Sequence, residues 1–163
     1  MSIDKNFYQC GMWLDMAHQY ALKNSGCTKV QVGSVIVFDA YDSPAVFGTN
    51  RSVPNLCKTR GCLRVEKYGE NSKLHRNPED CRAVHSEIDA IARLSRFPVA
   101  GKKTIFITRY PCEACARAIV TAGISVVIYG RKQEISDETR RIFEAGHVEC
   151  YHCKDWDAED VTY

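Results

Sequence analysis

The chain has 163 residues, enough for one domain with a tail. Hydrophobic residues make up 45% and charged residues 26%, and 22 Lys+Arg against 20 Asp+Glu leave a net charge of +2. That balance excludes a protein whose overall charge commits it to nucleic acid or to a membrane surface. No apolar run is long enough to span a bilayer. Met1-Ser2-Ile3-Asp4-Lys5 lacks the apolar core of a signal peptide, so a cytoplasmic location is expected.

In chain order, Phe7 to Asn24 places Tyr8, Trp13, Leu14, Ala17, Ala21 and Leu22 at near-helical spacing, which predicts an amphipathic helix stopped by Gly26. Lys29 to Phe38 is apolar and β-branched and reads as a buried strand. Turn residues Asp39 to Pro44 then lead into a second strand, Ala45 to Thr49, which completes a hairpin. From Arg51 to Arg76 the pattern loses its period, and seven Lys/Arg stand against two acids. So long a loop is expected to be functional or pinned. Ala83 to Arg96 reads as a helix and Thr104 to Thr108 as a short strand. Pro111 is placed to open a helix running to Ala122. Val126 to Tyr129 is another buried strand. Ser136 is a helix cap, with Asp137 and Glu138 in the first turn and Gly146 at the end. Val148 to Tyr151 is the last strand, and an acidic tail, 154–163, is expected to be a solvated end.

Strands alternating with helices require crossover connections, so the fold class is α/β, with parallel strands and helices on both faces of a sheet. One domain over 1–163 with an insert at about 51–81 is the economical organisation.

Nine cysteines stand out in this background. An odd number with no secretion signal argues against a disulfide framework. Cys10, standing alone, reads as a small buried hydrophobe. The pairs Cys57/Cys62, Cys112/Cys115 and Cys150/Cys153 need another account. The strongest is His85-Ser86-Glu87 followed by Pro111-Cys112-Glu113-Ala114-Cys115. Cys112 and Cys115, three apart on one helix, share a face and can grip one metal ion, and a helix start favours their thiolate forms. His85 supplies a third ligand. Three protein ligands leave a tetrahedral zinc one open position, the catalytic arrangement. Glu87 stands about 200° round an ideal helix from His85 and is better suited to carrying protons than to ligation. The order H-x-E then P-C-x-x-C is the signature of zinc deaminases. The competing reading joins Cys112/Cys115 with Cys150/Cys153 in a structural four-cysteine zinc. It has a longer spacing than the usual ribbon and leaves Glu87 without a task. Cys150-Tyr151-His152-Cys153 is left open as a redox pair, a metal site or packed thiols.

At these residues the chain resembles the deoxycytidylate (dCMP) deaminases of the cytidine deaminase-like superfamily. Lys29-Val30-Gln31-Val32-Gly33-Ser34-Val35-Ile36-Val37 is similar to the family's K-x-x-V-G-A-V-I-V strand, and Cys81 to Ile91 to its C-R-A-V-H-A-E-x-N-A-I segment. Tyr110 to Ile119, with Ala122-Gly123-Ile124, is similar to its second zinc segment. The resemblance implies a three-layer α/β/α sandwich on a five-stranded mixed sheet. It implies catalytic Zn2+ on His85, Cys112 and Cys115, hydroxide attack at C4 of cytosine, and Glu87 protonating N3 and then the departing ammonia. The implied reaction turns dCMP into dUMP and supplies thymidylate synthesis. Homohexamers and the effectors dCTP and dTTP also come with the family.

A second, structural zinc is implied on Cys27, Cys57, His75 and Cys81. Ala83 stands where the family has its fourth ligand, and Cys62 is in reserve. The basic insert is the expected source of a phosphate-holding Arg or Lys. Asn50, in Gly48-Thr49-Asn50-Arg51, is expected to hydrogen-bond the sugar hydroxyl. Arg51 replaces a glycine of the family's G-Y-N-G, which sets triphosphate regulation in question. Gly-x-Asn-Arg is also reminiscent of tRNA adenosine deaminases, so deamination of a base within RNA or single-stranded DNA is the second reading. The near-neutral charge disfavours it. A non-catalytic zinc module is the third, and Glu87 argues against it.

Overall fold

A computed structural model describes residues 9–39, 44–52, 55–70, 80–97, 100–131 and 136–156. The elements are α1 (Cys10–Asn24), β1 (Gly33–Phe38), β2 (Val46–Thr49), β3 (Arg51–Ser52), α2 (Leu56–Arg60) and α3 (Leu63–Tyr68). There follow β4 (Ala83–Val84), α4 (Ser86–Leu94), β5 (Lys103–Arg109), α5 (Glu113–Thr121), β6 (Val126–Arg131), α6 (Asp137–Ala145) and β7 (Glu149–His152). Five strands form one mixed sheet in the order β2-β1-β5-β6-β7. β1 runs antiparallel to both β2 and β5, whereas β5, β6 and β7 are parallel. The implied α/β architecture is therefore present.

Alternation along the strands sorts side chains to two faces. Ile36, Ile105, Ile107 and Val127 pack with Ala90, Ala116, Ile119 and Phe143 of α4, α5 and α6. Val35, Phe106 and Ile128 pack with Leu14 and Ala17 of α1 on the other face. Both faces are covered, as parallel strands require.

Two glycines let the layers close. A Cβ on Gly33 would lie 2.0 Å from the carbonyl oxygen of Ala17, so α1 sits directly on β1. A Cβ on Gly48 would lie 2.2 Å from the carbonyl oxygen of Ser86, so the first turn of α4 rests on β2. That contact places the start of α4 against the sheet, with the Ser34 hydroxyl donating to the Ser86 carbonyl at 2.8 Å.

Four expectations are corrected. The segment expected to begin a helix at Ala83 begins as a strand: β4 pairs with β3, Arg51 opposite Val84 and Ser52 opposite Ala83, and α4 starts only at Ser86. The helix expected from Pro111 starts at Glu113 with Cys112 as its N-cap, so Pro111 lies outside it. The aperiodic insert holds two short helices, α2 and α3, too brief to show a period. The chain beyond Lys154 is not solvated from its start. Trp156 is 8% exposed and packs in the α1-side core, and its indole donates to Asp15 Oδ1 at 2.8 Å. Residues 157–163 lie outside the described residues.

The expected thiol pattern also changes. Cys10 is not a solitary packed thiol: it is joined to Cys153 by a disulfide, with Cα atoms 6.4 Å apart. Cys10 opens α1 and Cys153 follows β7, so the fold brings chain ends 143 residues apart to one spot. This removes Cys153 from any pairing with Cys150 and from a four-cysteine zinc. Cys150 is a half-buried free thiol on β7, and burial pushes its pKa up to about 12.

Candidate active site

The sequence places His85 and Cys112 each one residue ahead of a helix, and both become N-caps with extended backbone (φ −70°, ψ 154° and φ −79°, ψ 170°). Neither uses its side chain to cap its helix. Their donor atoms are thereby released toward each other, and the positive ends of α4 and α5 converge on the same spot. Cys115 stands three residues beyond the second N-cap, on the face Cys112 overlooks.

The Nδ1 of His85 is 3.5 Å from Cys112 Sγ and 3.4 Å from Cys115 Sγ. The three donors all lie within 4.8 Å of one another, and among the described residues they form the one such group. A tetrahedral zinc with sulfur at about 2.3 Å and nitrogen at about 2.0–2.1 Å sets its S and N ligands about 3.6 Å apart. The observed spacing fits that ion.

Titration behaviour agrees with the donor set. A hydrogen bond from Cys115, resisted by burial, pulls the Cys112 thiol down to about 3. The same bond, with burial and the nearby Glu87 charge, pushes Cys115 up. His85 is raised, first by its bond to Cys112. Cys112 is half-buried and Cys115 buried, and a divalent ion held by both would displace the proton that remains on the pair.

Glu87 is 4% exposed. Its Oε2 accepts from the Ser86 hydroxyl at 2.9 Å, and it reaches Cys115 closely enough for a hydrogen bond. Burial is the leading cause that raises its pKa, opposed by the charge of His85. A carboxyl held beside these three donors, with its proton affinity increased by burial, is equipped to take and return a proton.

The surroundings fix this arrangement. Asp89 accepts from the Thr49 amide at 3.1 Å, tying α4 to the end of β2. Asn50 follows directly and is 9% exposed. Its Oδ1 accepts from the Val32 amide (2.9 Å) and the Ser25 hydroxyl (2.7 Å), and its Nδ2 donates to the Val30 carbonyl (2.7 Å). Its observed work is to clamp the loop before β1. Arg51 needs no glycine-like backbone, because it lies in β3, with Nε 3.7 Å from Asp89 Oδ2. Ser136 accepts from the Thr139 amide at 3.5 Å, as expected of a cap, and also donates to Glu113 at 2.8 Å, joining α6 to α5. Tyr110 is buried edge-on against Tyr129, with ring centroids 4.9 Å apart.

Of the expected second site, Cys27 and Cys81, like Cys62, lie near enough to Cys57 for their charge to act on it, but no three of these sulfurs come within 4.8 Å of one another. Burial leads in raising the Cys57 thiol, against a hydrogen bond with Ser52. His75 lies outside the described residues. Ala83 is in β4.

Sequence reasoning did not single out the polar group at the carboxyl ends of β5 and β6, where His18, Gln31, Thr108, Arg109, Arg131 and Trp156 meet. Burial lowers the pKa of Arg109 and leads in lowering that of His18. The only available signal was position, since ligands favour the carboxyl ends of strands in α/β sheets.

Comparison with known proteins places this geometry in a family. The model of the MafB19-like deaminases matches residues 11–148. ComE operon protein 2 of Bacillus subtilis (strain 168) is 29% identical over 138 residues, covering 83% of this chain and 66% of that protein. The deoxycytidylate deaminase of Saccharomyces cerevisiae is 30% identical over 125 residues, covering 76% of this chain and 38% of that protein. The chain thus spans about two thirds and under two fifths of these relatives' lengths. In fold, it resembles the dCMP deaminase of cyanophage S-TIM5 crystallised with dCMP and dUMP, with a TM-score of 0.66, 19% identity and coverage of 93% of this chain and 98% of that one. Because the family match runs unbroken from α1 through both donor-bearing helices to the approach of β7, the chain belongs to the MafB19-like deaminase family.

Proposed function

We propose that the protein is a zinc-dependent deaminase converting dCMP and water into dUMP and ammonia. The observation that carries this is the buried Glu87 carboxyl beside the converging donors His85, Cys112 and Cys115. A purely structural metal site has no use for it. The relationship to a deoxycytidylate deaminase and the likeness to an enzyme crystallised with dCMP and dUMP support the choice of substrate.

His85, Cys112 and Cys115 would hold zinc, which supplies a Lewis-acidic centre able to make water nucleophilic near neutral pH. The remaining chemistry belongs to the chain. Glu87 accepts the proton that the attacking water gives up. It delivers that proton to N3 of the ring, then takes the proton of the new C4 hydroxyl and passes it to the C4 amino group, so that the C4–N bond breaks, ammonia departs, C4 becomes a carbonyl and the carboxylate is restored. Ser86, donating to Oε2, holds the carboxyl in place for both transfers. Asn50 would offer the sugar hydroxyl its second amide hydrogen, its other amide groups being engaged within the loop.

We also propose a second, structural zinc on Cys27, Cys57, His75 and Cys81, with Cys62 in reserve for Cys81; the nearness of Cys27, Cys62 and Cys81 to Cys57 supports it. Such a site would explain how an insert with little apolar core holds its two short helices.

The test is ammonia release from dCMP, cytidine, dCTP and a tRNA anticodon stem, with zinc counted on the same preparation. Turnover of dCMP with two zincs per chain is expected. Turnover confined to RNA transfers the assignment to a polynucleotide deaminase. No turnover of any substrate, with zinc bound, makes the domain a binding module.

A further inference from the structure

The insert's charges do not all have protein partners. Lys58 and Arg60 are exposed. Lys67 pairs with Asp80, Arg82 with Glu66, and Arg51 with Asp89. Arg64 differs. It is half-buried, its Nε is fully buried, and it has no hydrogen-bond or ion-pair partner among the described residues.

Its place is defined by its neighbours. α3 lies along the segment leading to His85: Lys67 and Tyr68 both donate to Asp80, and Arg82 donates to the Gly61 carbonyl at 3.2 Å and to Glu66 at 3.3 Å. Arg64 precedes Lys67 by three residues and Tyr68 by four, and so shares their face of the helix. Its charge acts on both Asp80 and His85, which sets it between the foot of the insert and the metal donors. A guanidinium stays charged when buried, and a buried donor without a partner is costly. The nearby carboxylates are already engaged: Asp80 with Lys67 and Tyr68, Glu66 with Arg82, and Glu87 with Ser86. The partner that suits this fork is an anion brought by the ligand, and phosphate matches it bidentately.

We propose that Arg64 is the specificity-determining residue that holds the 5′-phosphate of the nucleotide, entering the site from the insert beside His85. This rests on the reading of the substrate as a pyrimidine monophosphate. The short helix α3 thereby carries a guanidinium whose Nε is buried without a partner among the described residues.

The experiment measures binding of dUMP and of deoxyuridine to the zinc-loaded protein by calorimetry, for wild type, Arg64→Ala, Arg64→Lys and Arg109→Ala, with zinc content recorded throughout. Losing a charge-assisted contact to phosphate is expected to lower the dUMP-to-deoxyuridine affinity ratio about 10- to 100-fold in Arg64→Ala, with partial recovery in Arg64→Lys and unchanged zinc. An unchanged ratio overturns the proposal, as does an equal loss for both ligands, which marks a structural role. A ratio that collapses in Arg109→Ala and survives in Arg64→Ala also overturns it, and moves the phosphate to the carboxyl ends of β5 and β6. Turnover of dCMP by wild type, measured alongside, reports on the substrate assignment separately. Binding that shows the Arg64 effect without turnover removes the assignment and leaves the phosphate contact standing.

Discussion

Gly48→Ala tests how the sheet sets the position of the metal donors. The new Cβ would stand 2.2 Å from the Ser86 carbonyl oxygen and 2.5 Å from the Ala90 nitrogen. Both are backbone atoms of α4, so no side chain can swing aside. Restoring ordinary contact requires the start of α4 to withdraw from β2 by about 1 Å. Overpacking of this kind costs about 1–3 kcal/mol, or roughly 3–10 °C in Tm for a chain of this size. The particular consequence is that α4 carries Glu87 and is N-capped by His85, while Cys112 and Cys115 belong to α5 and do not follow. A displacement near 1 Å is worth about 100-fold in rate, and zinc affinity should fall with it. Gly33→Ala is the matched control, because its Cβ would meet the Ala17 carbonyl at 2.0 Å on the opposite face of the sheet and push α1 instead. Zinc affinity by chelator competition, thermal melting and ammonia release are measured on both variants. Comparable losses of Tm are expected, with lowered zinc affinity confined to Gly48→Ala. If the two variants lose zinc affinity equally, the proposed seat of α4 on Gly48 does not position the site.

Three further outcomes are expected. Glu87→Gln keeps the shape and the bond with Ser86 but cannot carry a proton, so kcat should fall by about 10²–10⁴ with zinc content unchanged; zinc lost together with activity would make Glu87 a ligand. Cys10→Ser opens the Cys10–Cys153 disulfide and should cost about 2–5 kcal/mol of stability, read as a lowered denaturation midpoint, and a wild type that shows no change on reduction refutes the link. Hydrogen bonds from Lys67 and Tyr68 hold the Asp80 carboxyl below its ordinary value. Its contribution is therefore complete above its unfolded pKa of about 4 and is lost as pH falls through the lower folded value. Protease cleavage in the insert should rise over that range in wild type and be already high, and flat with pH, in Asp80→Asn.

The legible parts were those encoded within a few residues. H-x-E and P-C-x-x-C fix the donors because one helix turn brings positions three apart to one face, and the apolar strand runs fix the sheet. The donors' place as N-caps was not legible, because Pro111 suits a helix start and only the backbone shows that the helix waits for Glu113. The insert was read as structureless because helices of five and six residues cannot display a period. The disulfide joins residues 143 apart, and no local pattern announces it. Asn50 was read for its chemistry toward substrate, while its principal bonds are to Ser25, Val30 and Val32. A polar side chain in a motif can be a clamp as readily as a contact, and type alone does not separate the two.

Arg51 and Asp89, which stand where the deoxycytidylate deaminase pattern that this chain resembles has glycine and asparagine, belong together. Asp89 receives the Thr49 amide with Oδ2 and Arg93 Nε with Oδ1, at 3.1 and 3.2 Å. An asparagine has one oxygen to accept with and could satisfy only one of these donors without reversing the other amide group. The carboxylate meets both, and its charge also draws Arg51 to 3.7 Å. The glycine's usual service is backbone freedom after the asparagine. Here that freedom is given up for an extended Arg51 paired with Val84, one residue before His85. The loop carrying Asn50 is therefore tied at both ends, to α4 through Asp89 and to the segment before His85 through β3 and β4. A site built this way holds its geometry through fixed contacts, and disturbing the Arg51–Asp89 pair would loosen the loop that carries Asn50.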